Sequence, residues 1–204
     1  MKIQPTCSNI AGVVLAGGHS RRMGGIDKGW VEFQRRPMIE WVVETLKNQV
    51  DYLMINVNKS SSQYDELSIP LVKDKIEGFK GPLAGLHAAM METNHPFIMM
   101  VPCDSPLIPD NLVSKLSTPL SDKSIDLAVV RTSSRLQPIF CLTRTRLREP
   151  LARFLYGGGR KIDRWFDTLN VFEVDFTNQA SSFINFNTPE DIKIMEKKLS
   201  ALHR

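Results

Sequence analysis

The stretch Leu15-Ala-Gly-Gly-His-Ser-Arg-Arg-Met-Gly-Gly-Ile-Asp-Lys28 has an apolar start that opens into glycines and cations. Glycine lets backbone N–H groups approach an anion closely, and Arg22 and Lys28 supply positive charge. The stretch therefore predicts a phosphate-binding loop that includes Gly17 and Gly18. Its spacing matches neither the P-loop nor the G-x-G-x-x-G dinucleotide fingerprint. A solvated surface loop is the alternative that this segment alone leaves open.

The predicted loop lies between a strand and a helix. Residues 10–16 form a short apolar run, which is typical of a strand buried on both faces of a parallel sheet. Residues 37–50 place Met38, Trp41 and Leu46 at helical spacing, with a proline at an early position. The loop therefore leaves the carboxyl end of a central strand, the edge where open α/β sheets bind ligands.

Strand patterns and helical patterns alternate along the rest of the chain, which predicts an α/β fold with a mainly parallel sheet. The predicted strands are 52–57, 96–101, 125–131 and 136–142, and the predicted helices are 82–92, 109–117, 147–155 and 189–202, with a further short helix after the glycines at 157–159. Residues 60–62 and 121–124 are predicted loops. Thr188 and Asp191 have the spacing of a capping box for the last helix.

The composition is that of an ordinary globular protein. The chain has 204 residues, of which 42% are hydrophobic and 24% charged, so it is long enough for one well-packed domain over residues 1–204. The net charge is only +4, and the cations are scattered apart from the loop and a basic stretch at 160–164, which excludes bulk nucleic-acid binding. No apolar run approaches the ~20 residues of a membrane span. With no signal-peptide cleavage pattern either, we expect a cytoplasmic protein without a membrane partner.

The cysteines and histidines show no metal or redox pattern. Cys7, Cys103 and Cys141 are odd in number and have no Cys-x-x-Cys spacing, so no disulfide framework is expected. Cys103 has no histidine near it in sequence to activate a thiol, which favours a packing role. The four histidines are isolated, and we expect structural or surface roles for them.

Asp104 is the main candidate for chemistry outside the loop. It follows the buried strand pattern of residues 97–101 and Pro102, so it is predicted at the same carboxyl edge as the glycine loop. Mg²⁺ prefers oxygen ligands and combines one or two carboxylates with substrate phosphates. Asp104 is therefore a candidate Mg²⁺ ligand. The residues alone leave a turn or helix-capping role equally open, because Asp-Ser-Pro is also turn chemistry.

The loop and the segments after it resemble a known family. The Leu-Ala-Gly-Gly…Arg-Met-Gly-Gly-x-Asp-Lys pattern is similar to the signature of nucleotidyltransferases of the glycosyltransferase-A-like type, and in particular of molybdenum cofactor guanylyltransferases. Later segments occur in the family's order across nearly the whole chain, at 55–58, 71–74, 81–85, 102–106, 137–138 and 186–191. The resemblance implies a three-layer α/β/α Rossmann-like fold with a mainly parallel sheet.

The same resemblance implies a function and a set of site residues. The function is transfer of GMP from GTP to the phosphate of molybdopterin or the molybdenum cofactor, with Mg²⁺ as cofactor and pyrophosphate as by-product. The N-terminal half would bind nucleotide and the C-terminal half the acceptor. Lys28, Arg22 and Asp104 carry over as catalytic residues, with Asp104 as the metal ligand. The GTP-binding set is Leu15, Ala16, Gly17, Gly18, Lys28, Asn56, Asp74, Gly81, Pro82, Leu83, Gly85 and Asp104. Because the acceptor is an anion, the cations beside the glycines at 157–159 are candidates for binding its phosphate, and the resemblance adds two asparagines. The acceptor-binding set is Arg160, Lys161, Arg164, Asn185 and Asn187.

Guanine is the expected base because carboxylate and amide oxygens can accept hydrogen bonds from its ring N–H and its exocyclic amine. Adenine presents a different pattern of hydrogen-bond donors and acceptors. Cytidylyl relatives that act on the same pterin tend to differ in the first loop and in the segment 81–85. Two alternatives stay open: a transferase that uses CTP or activates a sugar phosphate or phosphoalcohol, and a non-catalytic nucleotide- or cofactor-binding protein. The presence of Arg22, Lys28 and Asp104 argues against the second. Proteins of cofactor synthesis and molybdoenzyme maturation are the partners that the resemblance implies.

Overall fold

The computed structural model describes residues 5–16, 27–58, 62–76, 78, 81–133 and 135–202. The described strands are β1 (Ile10–Leu15), β2 (Glu32–Phe33), β3 (Arg36–Pro37), β4 (Tyr52–Asn56), β5 (Leu71–Val72), β6 (Phe97–Pro102), β7 (Leu127–Thr132), β8 (Arg135–Arg144) and β9 (Val171–Asp175). The described α-helices are α1 (Met38–Lys47), α2 (Ser62–Glu66), α3 (Pro82–Met91), α4 (Leu112–Ser117), α5 (Arg148–Tyr156), α6 (Ile162–Phe166) and α7 (Pro189–Leu202). Short 3₁₀ helices lie at Cys7–Asn9, Lys28–Trp30, Pro119–Ser121, Thr145–Leu147 and Thr177–Phe183.

A seven-stranded sheet in the order β5-β4-β1-β6-β8-β7-β9 forms the middle layer. The pairs β5–β4, β4–β1, β1–β6 and β7–β9 are parallel, whereas β8 is antiparallel to both of its neighbours. The sheet is therefore mainly parallel, as the sequence predicts. The exception is β8. The sequence pattern of β8 does not reveal its direction, because the alternation of side chains along a strand is the same in both directions.

Two helical layers cover the sheet and give the predicted three-layer architecture. On one face α1, α2 and α4 pack on side chains such as Val14 and Val101, and on the other α3, α5 and α6 pack on Val13 and Met100. These four side chains have no solvent exposure. Burying one aliphatic side chain of this size contributes about 1.5–3 kcal/mol, so the doubly buried strands β1 and β6 anchor the fold.

The last helix packs on a separate, smaller cluster. Ile192 and Met195 of α7 contact Phe33 of β2, Met38 of α1 and Phe186, which precedes the helix. The Asp191 N–H donates to Thr188 Oγ1 at 3.2 Å, and the Thr188 N–H donates to Asp191 Oδ2 at 2.9 Å. This reciprocal pair is the predicted capping box, which is confirmed. It fixes where α7 begins and therefore where residues 185–187 lie.

Several predicted boundaries differ from the structure; the helix predicted over residues 37–50, for example, ends at Lys47. Ser62, predicted in a loop, is the first residue of α2, a helix too short to show a full helical period in sequence. The helix predicted from residue 109 begins at Leu112, because Pro109 closes a turn by accepting the Leu112 N–H and Asn111 is the N-cap.

Within the described residues, no helix is long and apolar enough to cross a membrane.

Candidate active site

Three parallel strands end side by side at one edge of the sheet. Leu15 at the end of β1 is in register with Asn56 of β4 and with Pro102 of β6. The Ala16 N–H donates to the Asn56 carbonyl at 2.8 Å, and the Cys103 N–H donates to the Leu15 carbonyl at 3.0 Å. The pairing therefore continues one residue beyond the strands. It sets Asn56 and Cys103 on opposite sides of Leu15, at the edge where α/β sheets bind ligands.

Asn56, Asn58 and Asp74 form a hydrogen-bonded group on the β4 side, which we call the asparagine cluster. The buried Asn56 amide donates to the Val72 carbonyl at 3.1 Å and to Asp74 Oδ1 at 3.0 Å. Asn58 Nδ2 donates to Asp74 Oδ2 at 2.8 Å, and Asn58 Oδ1 accepts the Asp74 N–H at 2.9 Å. Both amide protons of Asn56 are used, while its oxygen and the carboxylate keep acceptor capacity. The cluster can therefore accept hydrogen bonds from N–H groups of a ligand.

Asn58 is a site residue that the sequence reasoning missed. It holds both the backbone and the carboxylate of Asp74, so it fixes the direction of that carboxylate. A signal was present, because Asn58 follows Asn56 by two residues, and alternate residues of an extended chain lie on the same side.

The first turns of α3 pack against the asparagine cluster. Gly81 is the N-cap of this helix and Pro82 its first residue, and Leu83 is buried beneath it. A Cβ built on Gly85 would lie 2.3 Å from Asn56 Oδ1 and 2.8 Å from Leu15 Cδ2. A glycine is therefore required at position 85 for the helix to approach the strand ends this closely.

Lys28, Asp104 and Asn187 form a second group, which we call the lysine cluster. Lys28 Nζ lies 3.1 Å from Asp104 Oδ2 and donates to Asn187 Oδ1 at 2.5 Å. The Lys28 side chain is 24% exposed and the Asp104 side chain 8%. The pair is thus shielded from bulk water, which strengthens the interaction of its charges with each other and with a bound ligand.

One oxygen of Asp104 has no protein partner. Asp104 Oδ1 is buried and makes no hydrogen bond within the described residues. A buried polar atom without a partner is costly, so such an atom marks a place where a ligand or cation fits. Asp104 lies in a turn, but its carboxylate accepts no backbone N–H from the described residues, and Asn111 rather than Asp104 occupies the N-cap position of α4.

Residues 185–187 cross the end of β6 and bring both predicted asparagines to Asp104. The Phe186 N–H donates to the Asp104 carbonyl at 2.9 Å, and Asn185 Oδ1 accepts the Ser105 hydroxyl at 2.9 Å. The Asn187 amide in turn donates to the Asn185 carbonyl at 3.3 Å. Phe186 is only 1% exposed, so its side chain anchors the segment in the α7 cluster.

The N-terminal cap of α7 also holds Asn187. Asp191 Oδ2 accepts the Asn187 N–H at 3.0 Å in addition to the Thr188 N–H. Burial by itself would raise the pKa of Asp191, but the hydrogen bonds from Thr188 and Asn187 outweigh burial and lower it. The carboxylate therefore stays ionised and keeps the backbone of Asn187 in place.

The predicted basic stretch lies on α6 and in the segment that leads into it. Arg160 is exposed in the turn after α5, and Lys161 is the N-cap of α6. Arg164 is 75% exposed, with its nearest anionic partner Asp167 at 3.7 Å. Within the described part of the chain, neither Lys161 nor Arg164 has a hydrogen bond or ion pair with the lysine cluster. The predicted loop residues Gly17, Gly18 and Arg22 lie outside the described residues.

The buried cysteines and histidines have packing roles. Cys103 is 5% exposed, and burial, followed by the nearby Asp104 charge, raises the pKa of its thiol well above the usual range. Cys103 belongs to the hydrophobic cluster on the α1 side of the sheet, which agrees with the packing role. Burial also lowers the pKa of His87 in α3. His95 lies at the other edge of the sheet, where Nε2 is 2.8 Å from Asp51 Oδ2.

Comparison with known proteins shows the class to which this chain belongs. The family model described as "MobA-like NTP transferase domain" matches residues 12–171. A solved structure titled molybdopterin-guanine dinucleotide biosynthesis protein A, from Archaeoglobus fulgidus, superposes with a TM-score of 0.77 at 24% identity, covering 94% of this chain and 99% of that chain. A 4-diphosphocytidyl-2C-methyl-D-erythritol synthase from Anaerococcus prevotii superposes with a TM-score of 0.72 at 13% identity, covering 94% and 96%. The fold is that of a nucleotidyltransferase.

The relatives in sequence narrow this class. A molybdenum cofactor guanylyltransferase of Shewanella woodyi is 43% identical over 181 residues, which cover 89% of this chain and 92% of the relative. The enzyme of the same name from Polynucleobacter asymbioticus is 40% identical over 195 residues, covering 94% and 98%. The chain belongs to the molybdenum cofactor guanylyltransferase family. The resemblance predicted from the glycine–cation stretch and the later segments is confirmed.

Proposed function

We propose that this protein transfers GMP from GTP to the terminal phosphate of molybdopterin, or of its molybdenum-loaded form, and releases pyrophosphate. The observation that carries the proposal is the arrangement of two clusters at one sheet edge, with Leu15 and Ala16 between them. The asparagine cluster presents hydrogen-bond acceptors for a base, and the lysine cluster presents a cation and a carboxylate for phosphates. This separation of base and phosphate functions suits a nucleotide bound across the edge.

Guanine is the base that the asparagine cluster suits best. Its Watson–Crick edge offers a ring N–H and an amine, which can donate to the Asp74 carboxylate and the Asn56 oxygen. Adenine and cytosine present a ring nitrogen acceptor instead, and an acceptor facing Asp74 would leave buried polar atoms unpaired. The fold is also shared with the 4-diphosphocytidyl-2C-methyl-D-erythritol synthase, so the fold alone does not select the base, and the choice of base rests on these side chains.

Gly85→Ala tests the base-binding role of the asparagine cluster. The new Cβ would have to displace the Asn56 oxygen, so the Asn56–Asp74 bond is lost. GTP affinity is expected to fall about tenfold or more, because an unmade buried hydrogen bond costs about 1–3 kcal/mol. Equilibrium titration with GTP measures this change in affinity. In an Asn56→Ala background the same change is expected to add less than about threefold, and equal effects in both backgrounds would contradict the proposed contact.

Asp104 fits the Mg²⁺ that we propose as the cofactor. Its buried Oδ1 has no hydrogen-bond partner among the described residues, and a carboxylate oxygen is a ligand that Mg²⁺ prefers. Within the same residues, no group of three or more His, Cys, Asp or Glu could hold a metal ion. One carboxylate together with substrate phosphates is a usual donor set for this ion. When bound, Mg²⁺ would neutralise charge on the phosphate oxygens.

The reaction needs positioning and charge neutralisation, and no covalent enzyme intermediate. An oxygen of the acceptor phosphate attacks the α-phosphorus of GTP in line. A new P–O bond forms as the bond between the α-phosphorus and the bridging oxygen breaks, and that electron pair leaves with pyrophosphate. Lys28, with Arg22, would stabilise the charge that moves onto the leaving group.

The acceptor side of the site is proposed on two grounds. Asn187 contacts Lys28 directly, so an acceptor held by Asn185 and Asn187 would lie beside the cation that meets the nucleotide phosphates. Arg160, Lys161 and Arg164 are proposed to bind the acceptor phosphate because they are exposed cations on the C-terminal half of the chain.

A nucleotide panel tests the proposed donor. With Mg²⁺ and molybdopterin present, pyrophosphate release is measured with GTP, ATP or CTP. We expect GTP to be preferred at least about tenfold in kcat/KM, because a mismatched base leaves buried polar groups unpaired. Equal rates with all three nucleotides would contradict base selection by the asparagine cluster. A preference for CTP would assign the chain to cytidylyl transfer.

A further inference from the structure

We propose that Tyr64 is a positioning residue that fixes Lys28 through Asp27. The expected effect on the reaction rate rests on the proposed function, whereas the positioning role itself is inferred from the contacts of Tyr64. The Tyr64 hydroxyl donates to Asp27 Oδ2 at 2.6 Å, across 37 residues of sequence. Asp27 immediately precedes Lys28 and is the N-cap of the 3₁₀ helix Lys28–Trp30.

Asp27 determines the shape of the turn that presents Lys28. Asp27 Oδ1 accepts the Gly29 N–H at 3.1 Å, and the Asp27 carbonyl accepts the Trp30 N–H at 3.1 Å. The turn is thus closed on both sides of Lys28. With Oδ1 on Gly29 and Oδ2 on Tyr64, each carboxylate oxygen has a partner away from the lysine ammonium.

Tyr64 contacts both ends of this turn. Its ring has no solvent exposure and meets the Trp30 indole edge-on, with centroids 5.4 Å apart and planes at 75°. Burial, followed by the Asp27 carboxylate, raises the pKa of the Tyr64 phenol far above its usual range. The phenol therefore keeps its proton and donates it in the hydrogen bond to Asp27 Oδ2.

The same turn is packed against the strand end that carries Asp104. A Cβ built on Gly29 would lie 3.3 Å from Ile39 Cβ and 3.5 Å from Cys103 Sγ, so the turn leaves little room to shift. Tyr64 thereby holds one side of the turn, while Cys103 and Ile39 hold the other. The result is a fixed distance between the Lys28 and Asp104 backbones, which the 3.1 Å ion pair requires.

Charge explains why the hydroxyl matters more than the ring. Asp27 is an anion one residue from Lys28, and Tyr64 keeps one of its oxygens engaged elsewhere. Without the hydroxyl, Oδ2 loses its partner in a partly buried place and competes with Asp104 and substrate phosphates for the ammonium. The ring itself would still pack against Trp30.

Tyr64→Phe is the test, with Tyr52→Phe as the matched control. Tyr52 begins β4 at the far edge of the sheet, where its ring stacks on His95 at 5.9 Å. We expect Tyr64→Phe to lower the single-turnover rate about tenfold while GTP affinity changes less than about threefold, since the misplaced cation matters most in the transition state. The melting temperature should fall only by the few degrees that one lost buried hydrogen bond costs. Tyr52→Phe should keep the wild-type rate.

A second substitution separates charge from packing. Asp27→Asn removes the anion yet keeps an acceptor for the Gly29 N–H, so in the Tyr64→Phe background it should recover most of the lost rate. An unchanged rate in Tyr64→Phe, or a loss that Asp27→Asn does not relieve, would overturn the proposal. So would equal losses in rate and GTP affinity, which a merely structural role predicts.

A readout without the acceptor distinguishes this inference from the proposed function. Modification of the Lys28 amine by an amine-reactive reagent, followed by mass spectrometry, should speed up severalfold in Tyr64→Phe and stay unchanged in Tyr52→Phe. If the wild-type protein makes no dinucleotide, the proposed function fails and this labelling alone decides the role of Tyr64. If the wild-type protein is active and labelling and rate are both unchanged in Tyr64→Phe, the positioning role fails by itself.

Discussion

Asp104→Asn is expected to lower turnover by about 10²-fold or more, because the substitution preserves the shape of the side chain but removes the charge that would hold Mg²⁺. Asp104 Oδ1 is the buried carboxylate oxygen without a hydrogen bond in the described residues, so a neutral amide at this position weakens the cation contact most directly. The measurement is kcat as a function of Mg²⁺ concentration. An increased Mg²⁺ requirement is expected together with the lower maximal rate.

The control for this variant is Asp51→Asn. Asp51 is half exposed and pairs with His95 at the opposite edge of the sheet, so the same chemical change there should leave turnover within about twofold. Near-normal Mg²⁺-dependent turnover of Asp104→Asn would return Asp104 to a purely structural role. The Phe186 N–H bonds to the Asp104 backbone carbonyl, so the segment 185–187 keeps this anchor in the variant.

Lys28→Ala separates catalysis from nucleotide binding. The ammonium could follow the phosphate oxygens as charge moves toward pyrophosphate, so we expect it to interact more strongly with the transition state than with bound GTP. GTP affinity is expected to fall about tenfold, near ~1.4 kcal/mol, while kcat falls by about 10²-fold or more. Single-turnover rates and GTP dissociation constants on one preparation measure both effects.

Lys47→Ala is the matched control for this variant, since Lys47 is exposed in the last turn of α1. Its rate and affinity should match the wild-type protein. A collapse of GTP affinity with an unchanged saturated rate in Lys28→Ala would limit Lys28 to nucleotide binding. No change in either quantity would contradict the prediction that residues 15–28 form a phosphate-binding loop.

The sequence predicted the parts of the fold that local patterns encode. The run at 10–16 contains no polar side chain, which is typical of a strand buried on both faces, and β1 over Ile10–Leu15 is that strand. The helix predicted at 82–92 is α3, because proline at its first position and a long apolar run define it locally. Thr188 and Asp191 predicted the cap of α7 for the same reason.

The contacts that assemble the site are not local, and this limits what the sequence could predict. Lys28 and Asn187 are 159 residues apart, and Asp27 and Tyr64 are 37 apart, so no spacing rule joins them. The resemblance supplied Asn187 as an acceptor residue but gave no sign that it would contact Lys28. The sequence gives no indication of a role for Tyr64, because α2, which carries it, is too short to show a helical pattern.

The basic stretch shows the opposite limit. Arg160, Lys161 and Arg164 were grouped because cations beside a glycine turn suit a phosphate. In the structure, Arg164 has an acidic neighbour one turn away and extends into solvent, as surface arginines commonly do. Charge density in the sequence therefore identifies candidate residues, while burial and a carboxylate partner at 3.1 Å distinguish Lys28 from Arg164.

The most direct test of the proposed function follows the phosphorus that is transferred. Wild-type protein is incubated with Mg²⁺, molybdopterin and GTP labelled at the α-phosphate, beside Asp104→Asn as the inactive control. The products are separated to see where the label lies. We predict that the label moves into a molybdopterin–guanine dinucleotide and that unlabelled pyrophosphate is released in equal amount. Label that stays in GTP, or appears only as free GMP, would contradict transfer to the acceptor phosphate.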